Sequence, residues 1–446
     1  MKQAFGMVAV DLGATSGRFA VAEEGDGRLG FRVVEQVRHT PKVIDGRLTW
    51  DLDALLGLCE SALSYAETNF ERASLGIDSW GVDHGFVDAQ GGLIQPVVAY
   101  RDPVHAEVFA RYADHRDELY RLTGVQHQPF NTIYQLIARR EEDPTLPERA
   151  RWLILPELLH QLLGVSSGHE TTHASTTQLM GLDGNWSAEA FALAGWPIPD
   201  HAPAPAGTIV GQRGNVNLVR VGGHDSASAV AGLGPLDERT AFLNVGTWTL
   251  LGTVIDAPIA TPAAAEFNLT NERTVDGKVR LLKNIPGFWV VNRLHEELNP
   301  EVDIPTWLAQ APWQDAPAVD LDDEAFFNPP SMRELLRSHL SAEPRDACAW
   351  AGVALRSMVQ STVNALAGLG GVTGRDFRTI RVAGGGSRSV AFNQALSALS
   401  GRAVIAGPDE ATVLGNLAVQ AQAMGRVTNS TARDTWVGGS LSLTHY

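Results

Sequence analysis

The sequence predicts an α/β chain of two domains, and three observations carry that expectation. The N-terminal stretch is β-rich and punctuated by glycine turns: "MVAVDLG", "GRFAVAEE", "GFRVVEQVRHT" and "GRLTW" read as a meandering sheet. Helical and strand patterns then interleave along the chain, as in layered α/β folds. Finally, "VAVDLGATSGRFAV" (Val8 to Val21) and "AFLNVGTWTLLGTV" (Ala241 to Val254) share a plan: an apolar strand, an Asp or Asn, a glycine two residues on, hydroxyl residues and a returning strand. Such a repeat suggests one supersecondary unit used twice.

After the opening strands, "WDLDALLGLCESALSYAETNFERA" places Leu52, Leu55, Leu56, Cys59, Leu63, Ala66 and Phe70 at helical steps, and "SLGIDSWGVDHGFVD" reads as a strand. From Asp102 to Gly164 the pattern is mainly helical, with Asn131 as a cap and Gly124 and Gly164 as stops. The Pro/Gly-rich passage from Trp196 to Gly222 reads as a seam, dividing the chain into domains 1–221 and 222–446. The second half continues with "GHDSASAVAGLG", the repeated hairpin and a long helix, "ACAWAGVALRSMVQSTVNALAGLG". It closes on strand, glycine knot and helix, "TIRVAGGGSRSVAFNQALSALSG", then "VIAGP" and a last helix, "TVLGNLAVQAQAMG".

Composition narrows the function. With 446 residues and 44% hydrophobic content, each domain can bury a core. A formal charge of -16 with no basic run argues against a nucleic-acid partner. No run approaches the roughly 18 apolar residues of a membrane span, and the N-terminus lacks the pattern of a signal peptide, so no membrane partner and a cytoplasmic setting are expected. Cys59 and Cys348 stand in helix-like segments without metal-ligand spacing and read as small buried hydrophobes.

Two motif matches fail on context. "GDGRLG" (Gly25 to Gly30) joins strand to strand and opens no helix, so it reads as a turn and not as a dinucleotide fingerprint. "GVSSG" (Gly164 to Gly168) follows a helix, so Ser166 is not presented as on a nucleophile elbow. There is no Walker loop, and the chain holds only four lysines.

The opening hairpin is a better phosphate site. Gly13 and Gly17 let backbone approach oxygens, Thr15 and Ser16 offer hydroxyls, Arg18 offers charge, and Asp11 suits a magnesium ion held through water. A plain polar turn is the alternative. In "GGHDSASAV" Asp225 stands at the mouth of a helix beside His224, either as a cap or as a carboxylate that takes a proton from an attacking hydroxyl. The helix start is expected to lower its pKa. "IDSWGVDHG" gathers Asp78, Trp80, Gly81, Asp83 and His84, a mixture suited to a sugar, although Trp80 also reads as core. Arg101, Asp102, Asn131 and Thr132 are further candidates, and "VAGGGSRS" offers bare backbone to a ring or phosphate.

With these blocks collected, the chain resembles the FGGY family of carbohydrate kinases, within the two-domain actin-like, sugar-kinase ATPase (ribonuclease H-like) fold. The resemblance runs almost end to end, through "VAVDLGATSGR", "GIDSWGVD", "PVVAYRDP", "TGVQHQPFNTIYQL", "ASTTQLM", "GHDSASAV", "NVGTWTLLG", "NLTNE", "LLKNIPGFWVVNRL" and "AGGGSRSVAFNQALSALSGRAVIAGPDEATVLGN". It implies an active-site cleft between the domains and transfer of the ATP γ-phosphoryl group to the primary hydroxyl of a ketose, with Mg²⁺. "SWGVD", "YRD", "PFNTIYQL" and "LKNIPGFW" favour the branch acting on L-rhamnulose in rhamnose catabolism, giving the 1-phosphate. L-fuculose, L-ribulose and xylulose are the alternatives, and a non-catalytic sugar or nucleotide sensor of the same fold is another.

Carried over residue by residue, the resemblance implies that Asp225 is the base and that Ala14, Thr15, Ser16, Gly17 and Arg18 contact phosphate. Thr247, Asn292 and Gly386 would serve the nucleotide, and Gly81, His224, Ser226 and Asn284 would line the sugar pocket beside Trp80, Asp83 and His84. His84 stands where relatives often carry an aromatic, and Asn292 where a glutamine is common. The expected partners are the ketose and ATP, with the chain a monomer or homodimer.

Overall fold

A computed structural model describes residues 2–25, 27–165, 168–246, 248–326 and 329–446. Its contacts divide the chain into two units: residues 1–235, 255–281 and 411–440 form the first, and residues 236–254, 282–410 and 441–446 the second.

The first unit is built on a six-stranded sheet. Strands β1 (Gln3–Leu12), β2 (Ser16–Gly25) and β3 (Arg28–Arg38) form the expected meander, and β4 (Lys42–Ile44) and β5 (Arg47–Thr49) a separate hairpin. The sheet order is β3-β2-β1-β6-β10-β9, with β6 at Phe70–Ser79, β9 at Ile209–Arg213 and β10 at Val216–Val219. β1 pairs antiparallel with β2 and parallel with β6, and this register sets Asp11 opposite Arg18 on one side and Asp78 on the other. The helix Leu52–Asn69 starts where the Asp51 side chain accepts the Ala54 N–H. Its Leu55, Leu58, Cys59, Ala62 and Ala66 are buried against Val8, Val10, Leu12 and Phe19 of the sheet.

The segment "SLGIDSWGVDHGFVD" breaks after Ser79, and a short strand β7 (His84–Val87) pairs antiparallel with β8 (Arg151–Ile154). The break falls at Val82, whose φ of 69° is unusual for a β-branched residue. The Pro/Gly-rich passage expected as a seam supplies β9 and β10, and β10 pairs parallel with β6.

Strands β11 (Thr240–Val245) and β12 (Trp248–Ile255) form the second hairpin, which Thr247 would bridge; Thr247 and Ser166 lie outside the described residues. β13 (Thr270–Arg273) neighbours β14 (Val279–Pro286), and the second unit's strands follow the order β14-β12-β11-β15-β16-β17. Here β15 is Thr379–Ala383, β16 Ala403–Ala406 and β17 Thr444–His445. β11 pairs antiparallel with β12 and parallel with β15, repeating the pairing of β1 with β2 and β6. The duplicated hairpin seen in the sequence therefore extends to the strand beside it.

The units cut across the boundary at 221/222 for a local reason. The helix Asp225–Ala231 packs backbone to backbone on the helix Ala411–Ala423: a Cβ on Gly415 would lie 1.7 Å from the Ser228 carbonyl, and one on Gly232 2.0 Å from that of Ala411. The second helix is tied to the first sheet in turn. Gln420 donates to the Val8 carbonyl at 2.9 Å and accepts from Ser74, while Asn416 donates to Asp78 Oδ2 at 2.5 Å. Cys59 and Cys348 are unpaired, and burial raises the pKa of the Cys59 thiol.

Candidate active site

The opening hairpin closes through Gly13, whose N–H donates to the Ser16 carbonyl at 2.9 Å. His39 braces the turn, with Nε2 2.9 Å from the Gly13 carbonyl and its N–H on that of Thr15. Ala14 and Ser16 are half-buried and Thr15 exposed, so the tip is open. Gly17 faces the other way: a Cβ there would meet Leu12 and Leu58 at 2.9 Å, so this glycine serves the packing of the helix Leu52–Asn69. Arg18 donates to Asp11 Oδ2 through Nε at 3.1 Å and Nη2 at 2.8 Å, holding the carboxylate in one orientation. Asp78, buried beside Asp11, has its pKa pushed well up by burial and by the Asp11 charge, against the pull of Asn416.

Asp225 opens its helix with Ser226 Oγ donating to Oδ1 at 3.0 Å and His224 Nε2 3.4 Å from the same oxygen. The expectation of a lowered pKa is overturned. Burial raises it, His224 opposes, Asp11 raises it further, and a seven-residue helix does not offset this. About a quarter of the side-chain surface, 28%, remains open.

His224 is held on all sides. Its N–H donates to Thr172 Oγ1, and Gly223 N–H to Glu170 Oε2 at 3.0 Å. Its Nδ1 lies 3.1 Å from Glu272 Oε2 and 3.3 Å from Arg280 Nη2, and that guanidinium donates to Glu272 Oε2 at 2.9 Å. Burial would raise the Glu272 pKa, but His224 and Arg280 outweigh it and hold the carboxyl below its ordinary value. Glu170 shows the opposite balance: burial pushes it up to about 7 despite hydrogen bonds from Thr172, His173 and Gly223.

Gly81 completes this corner. A Cβ there would lie 3.2 Å from Thr176 Oγ1 and 3.3 Å from His224 Nε2, so glycine lets the backbone pass close beside the imidazole. The strained Val82 that follows is pinned at both ends. Its N–H donates to Thr176 Oγ1, and its carbonyl accepts from Thr132 Oγ1 at 2.6 Å and Gln135 Nε2 at 3.2 Å.

Trp80, Asp83 and His84 point into the unit. Asp83 is fully buried and its Oδ2 accepts from the indoles of Trp50 and Trp80, at 2.5 and 2.7 Å. Burial outweighs those bonds and raises its pKa to about 7. His84 is 4% exposed, edge-on to Phe86 and Trp152, and burial, with His105 adding, lowers its pKa to about 3. These side chains set the shape of the turn from behind. Asp102 caps the helix Pro103–Arg111, Arg101 donates to the Tyr100 hydroxyl, and Asn131 bonds the Gln126 carbonyl and Gln178.

In the second unit Asn284 lies half-buried on β14, and Asn292 half-buried on the helix Phe288–Leu298. Gly384 has φ 75° and Gly386 abuts β11, where a Cβ would come within 2.3 Å of Val245 Cγ1. Asn393 donates to the Ser387 carbonyl at 2.8 Å and so braces this glycine turn. Close packing alone requires glycine at 386.

Glu170, Thr172, Thr176, Glu272 and Arg280 were not picked out from the sequence. Glu272 falls inside "NLTNE", a block of the family resemblance, without a role of its own there, and the alternating charges Asp276, Lys278 and Arg280 are the only local sign at the other strand.

Comparison with known proteins places this geometry. Residues 6–225 match the model of the N-terminal domain, and residues 241–424 that of the C-terminal domain, of the FGGY family of carbohydrate kinases. The chain is 36% identical to a rhamnulokinase of Yersinia pestis (strain Pestoides F), over 98% of this chain and 94% of that protein. It is 33% identical to a rhamnulokinase of Klebsiella pneumoniae subsp. pneumoniae, with the same coverage. A ligand-bound xylulose kinase from Lactobacillus acidophilus superposes with a TM-score of 0.79 at 15% identity, covering 99% of this chain and 93% of that one. Plasmodium falciparum glycerol kinase with ADP gives 0.74 at 12% identity, covering 100% of this chain and 94% of that one. At these identities the structures speak for the fold, which is the two-domain α/β sugar-kinase fold expected from the sequence. The two family-model matches and the full-length relatives together establish that the chain belongs to the FGGY family of carbohydrate kinases, ATP-dependent enzymes that phosphorylate sugars.

Proposed function

We propose that the enzyme transfers the γ-phosphoryl group of ATP to the primary hydroxyl of L-rhamnulose, giving the 1-phosphate, in the cytoplasm. The observation that carries this reading is the corner where the bare backbone of Gly81 passes beside His224 Nε2, the atom that faces Asp225 Oδ1. A sugar seated there meets a carboxylate and an imidazole at once. The named relatives, similar along nearly the whole chain, supply the ketose.

In this reading Asp225 orients the attacking hydroxyl and takes its proton late, since phosphoryl transfer relies mainly on positioning and charge. Its raised pKa makes it a better proton acceptor than an ordinary surface Asp. His224 and Ser226 hold the sugar beside it, with Asn284 as a further contact. Backbone and hydroxyls of Ala14 to Gly17, with Arg18, meet phosphate, while Thr247, Asn292 and Gly386 serve the nucleotide.

Among the described residues no group of three or more His, Cys, Asp or Glu is arranged to hold a metal ion. Asp11, its carboxylate fixed by Arg18, would hold a magnesium ion through water. Such an ion neutralises phosphate charge when bound.

The test is an ADP-release screen across L-rhamnulose, L-fuculose, L-ribulose and xylulose, with the phosphorylated carbon mapped in the product. L-Rhamnulose with the highest kcat/KM and phosphate on carbon 1 is expected; a higher value for another ketose overturns the assignment. Gly81→Ala is expected to raise KM for the preferred sugar about tenfold while KM for ATP holds, because the new methyl presses on His224 and Thr176. An unchanged sugar KM would show that the sugar does not sit at this corner.

A further inference from the structure

The charged pair behind His224 has no part in the proposal above. Glu272 stands on β13 and Arg280 on β14, strands about fifty residues beyond His224, and Arg280 is fully buried. Its Nε donates to the Arg273 carbonyl at 3.0 Å and Nη2 to Glu272 Oε2 at 2.9 Å, so guanidinium and carboxylate are both fixed. A buried ion pair is weak evidence of stabilisation, because packed apolar residues of the same volume serve as well. This pair does something apolar residues cannot: it sets an anionic acceptor 3.1 Å from His224 Nδ1.

Glu272 Oε2 and Arg280 Nη2 both reach the Nδ1 edge of the imidazole, at 3.1 and 3.3 Å. Held at that edge, the ring keeps Nε2 turned toward Gly81 and 3.4 Å from Asp225 Oδ1. Glu170 and Thr172 fix the backbone beneath, so the ring is held at both ends.

We propose that Glu272 and Arg280 are positioning residues that fix the orientation of the His224 ring, so that Nε2 is held between Asp225 and a hydroxyl of the sugar. This rests on the sugar site proposed above. Orienting partners behind metal-bound imidazoles are worth about 10- to 100-fold in activity, and an effect of that size is expected here.

The experiment uses the full chain with ¹⁵N-labelled histidine. Glu272→Gln alone leaves Arg280 buried without its carboxylate, so it is paired with the double variant Glu272→Gln/Arg280→Met, which removes both charges at similar volume. In the wild type without sugar, the His224 signals, assigned by their loss in His224→Gln, are expected as one sharp Nδ1 and Nε2 pair, the mark of a ring held in one orientation. In the folded double variant that pattern is lost, kcat falls about 10- to 100-fold, sugar KM rises, and KM for ATP does not change. A purely structural role would lower the folded fraction and leave the sugar KM alone. Broad or doubled His224 signals in the wild type, or wild-type kcat and sugar KM in the folded double variant, overturn the proposal. The ring signals are read without substrate and the kinetics on whichever ketose turns over best, so a wrong sugar assignment is seen separately in the ketose screen.

Discussion

Asp225→Asn is expected to reduce phosphoryl transfer by about 10² to 10⁴, the range of a positioned general base, while sugar affinity stays within a few-fold. Asparagine keeps an oxygen for Ser226 Oγ, which lies 3.0 Å from Oδ1, so the local geometry has no reason to collapse. The sign of the stability change separates chemistry from folding. Burial and Asp11 raise the folded-state pKa of Asp225 above its unfolded value. Such a group favours folding most below its unfolded pKa, and that contribution is lost as pH rises through the folded value. At neutral pH the ionised Asp225 is therefore a burden on the fold, and Asn should melt at the same temperature or slightly higher. A variant that loses activity and melts lower would make Asp225 a structural residue, and one that keeps near wild-type turnover would move the proton elsewhere. Sugar affinity by calorimetry, single-turnover phosphate transfer and a melting curve at pH 7 check all three parts.

That sign was misread in the sequence, and the reason shows where sequence reading stops. The helix start at Asp225 is visible in "GHDSASAV", and dipole and capping rules act within a single turn. What opposes it is burial first and then the charge of Asp11, a residue more than two hundred positions earlier, and both come from the tertiary fold. The same division holds elsewhere. The two glycine hairpins were legible because each is a contiguous window, and their pairing with β6 and β15 follows from the repeat. Glu272 and Arg280 were not legible, because a charge in an alternating strand reads as a solvated face until the strand is placed. Asp83 was read as a sugar ligand from its neighbours, whereas two indoles occupy its Oδ2. The passage after Trp196 looked like a linker by composition, yet its few apolar residues, Val216, Leu218 and Val219, pair with β6 and are buried. Local chemistry is encoded locally; which charge is buried, and beside what, is a property of the strand order.

The second large effect is expected at Gly415→Ala, a single methyl on a helix that carries none of the proposed site residues. The added Cβ would lie 1.7 Å from the Ser228 carbonyl oxygen and 2.9 Å from the Gly232 nitrogen, which are backbone atoms of the segment that begins at Asp225. No rotamer change relieves such a clash, so one helix must move, and overpacking of this kind costs about 1–3 kcal/mol. The helix Ala411–Ala423 is the less free of the two, since Asn416 and Gln420 tie it to Gly76, Asp78 and Val8 of the sheet. The displacement therefore falls on the shorter helix and carries Asp225 away from Asp11 and from the corner at Gly81. Folded Gly415→Ala protein should for that reason lose turnover well beyond its loss of stability, a ten-fold or greater drop in kcat alongside a lower urea midpoint. Gly371→Ala is the control: it sits inside the helix Ala347–Thr373 with nothing within 4 Å of the added methyl, so it should melt no lower and turn over normally. If Gly415→Ala matches that control in both measurements, the two helices are not in backbone contact and the seat assigned to Asp225 is wrong. If stability falls and kcat per folded molecule does not, the sheet side yields instead, and Asp225 is held by His224 and Ser226 more firmly than by its helix.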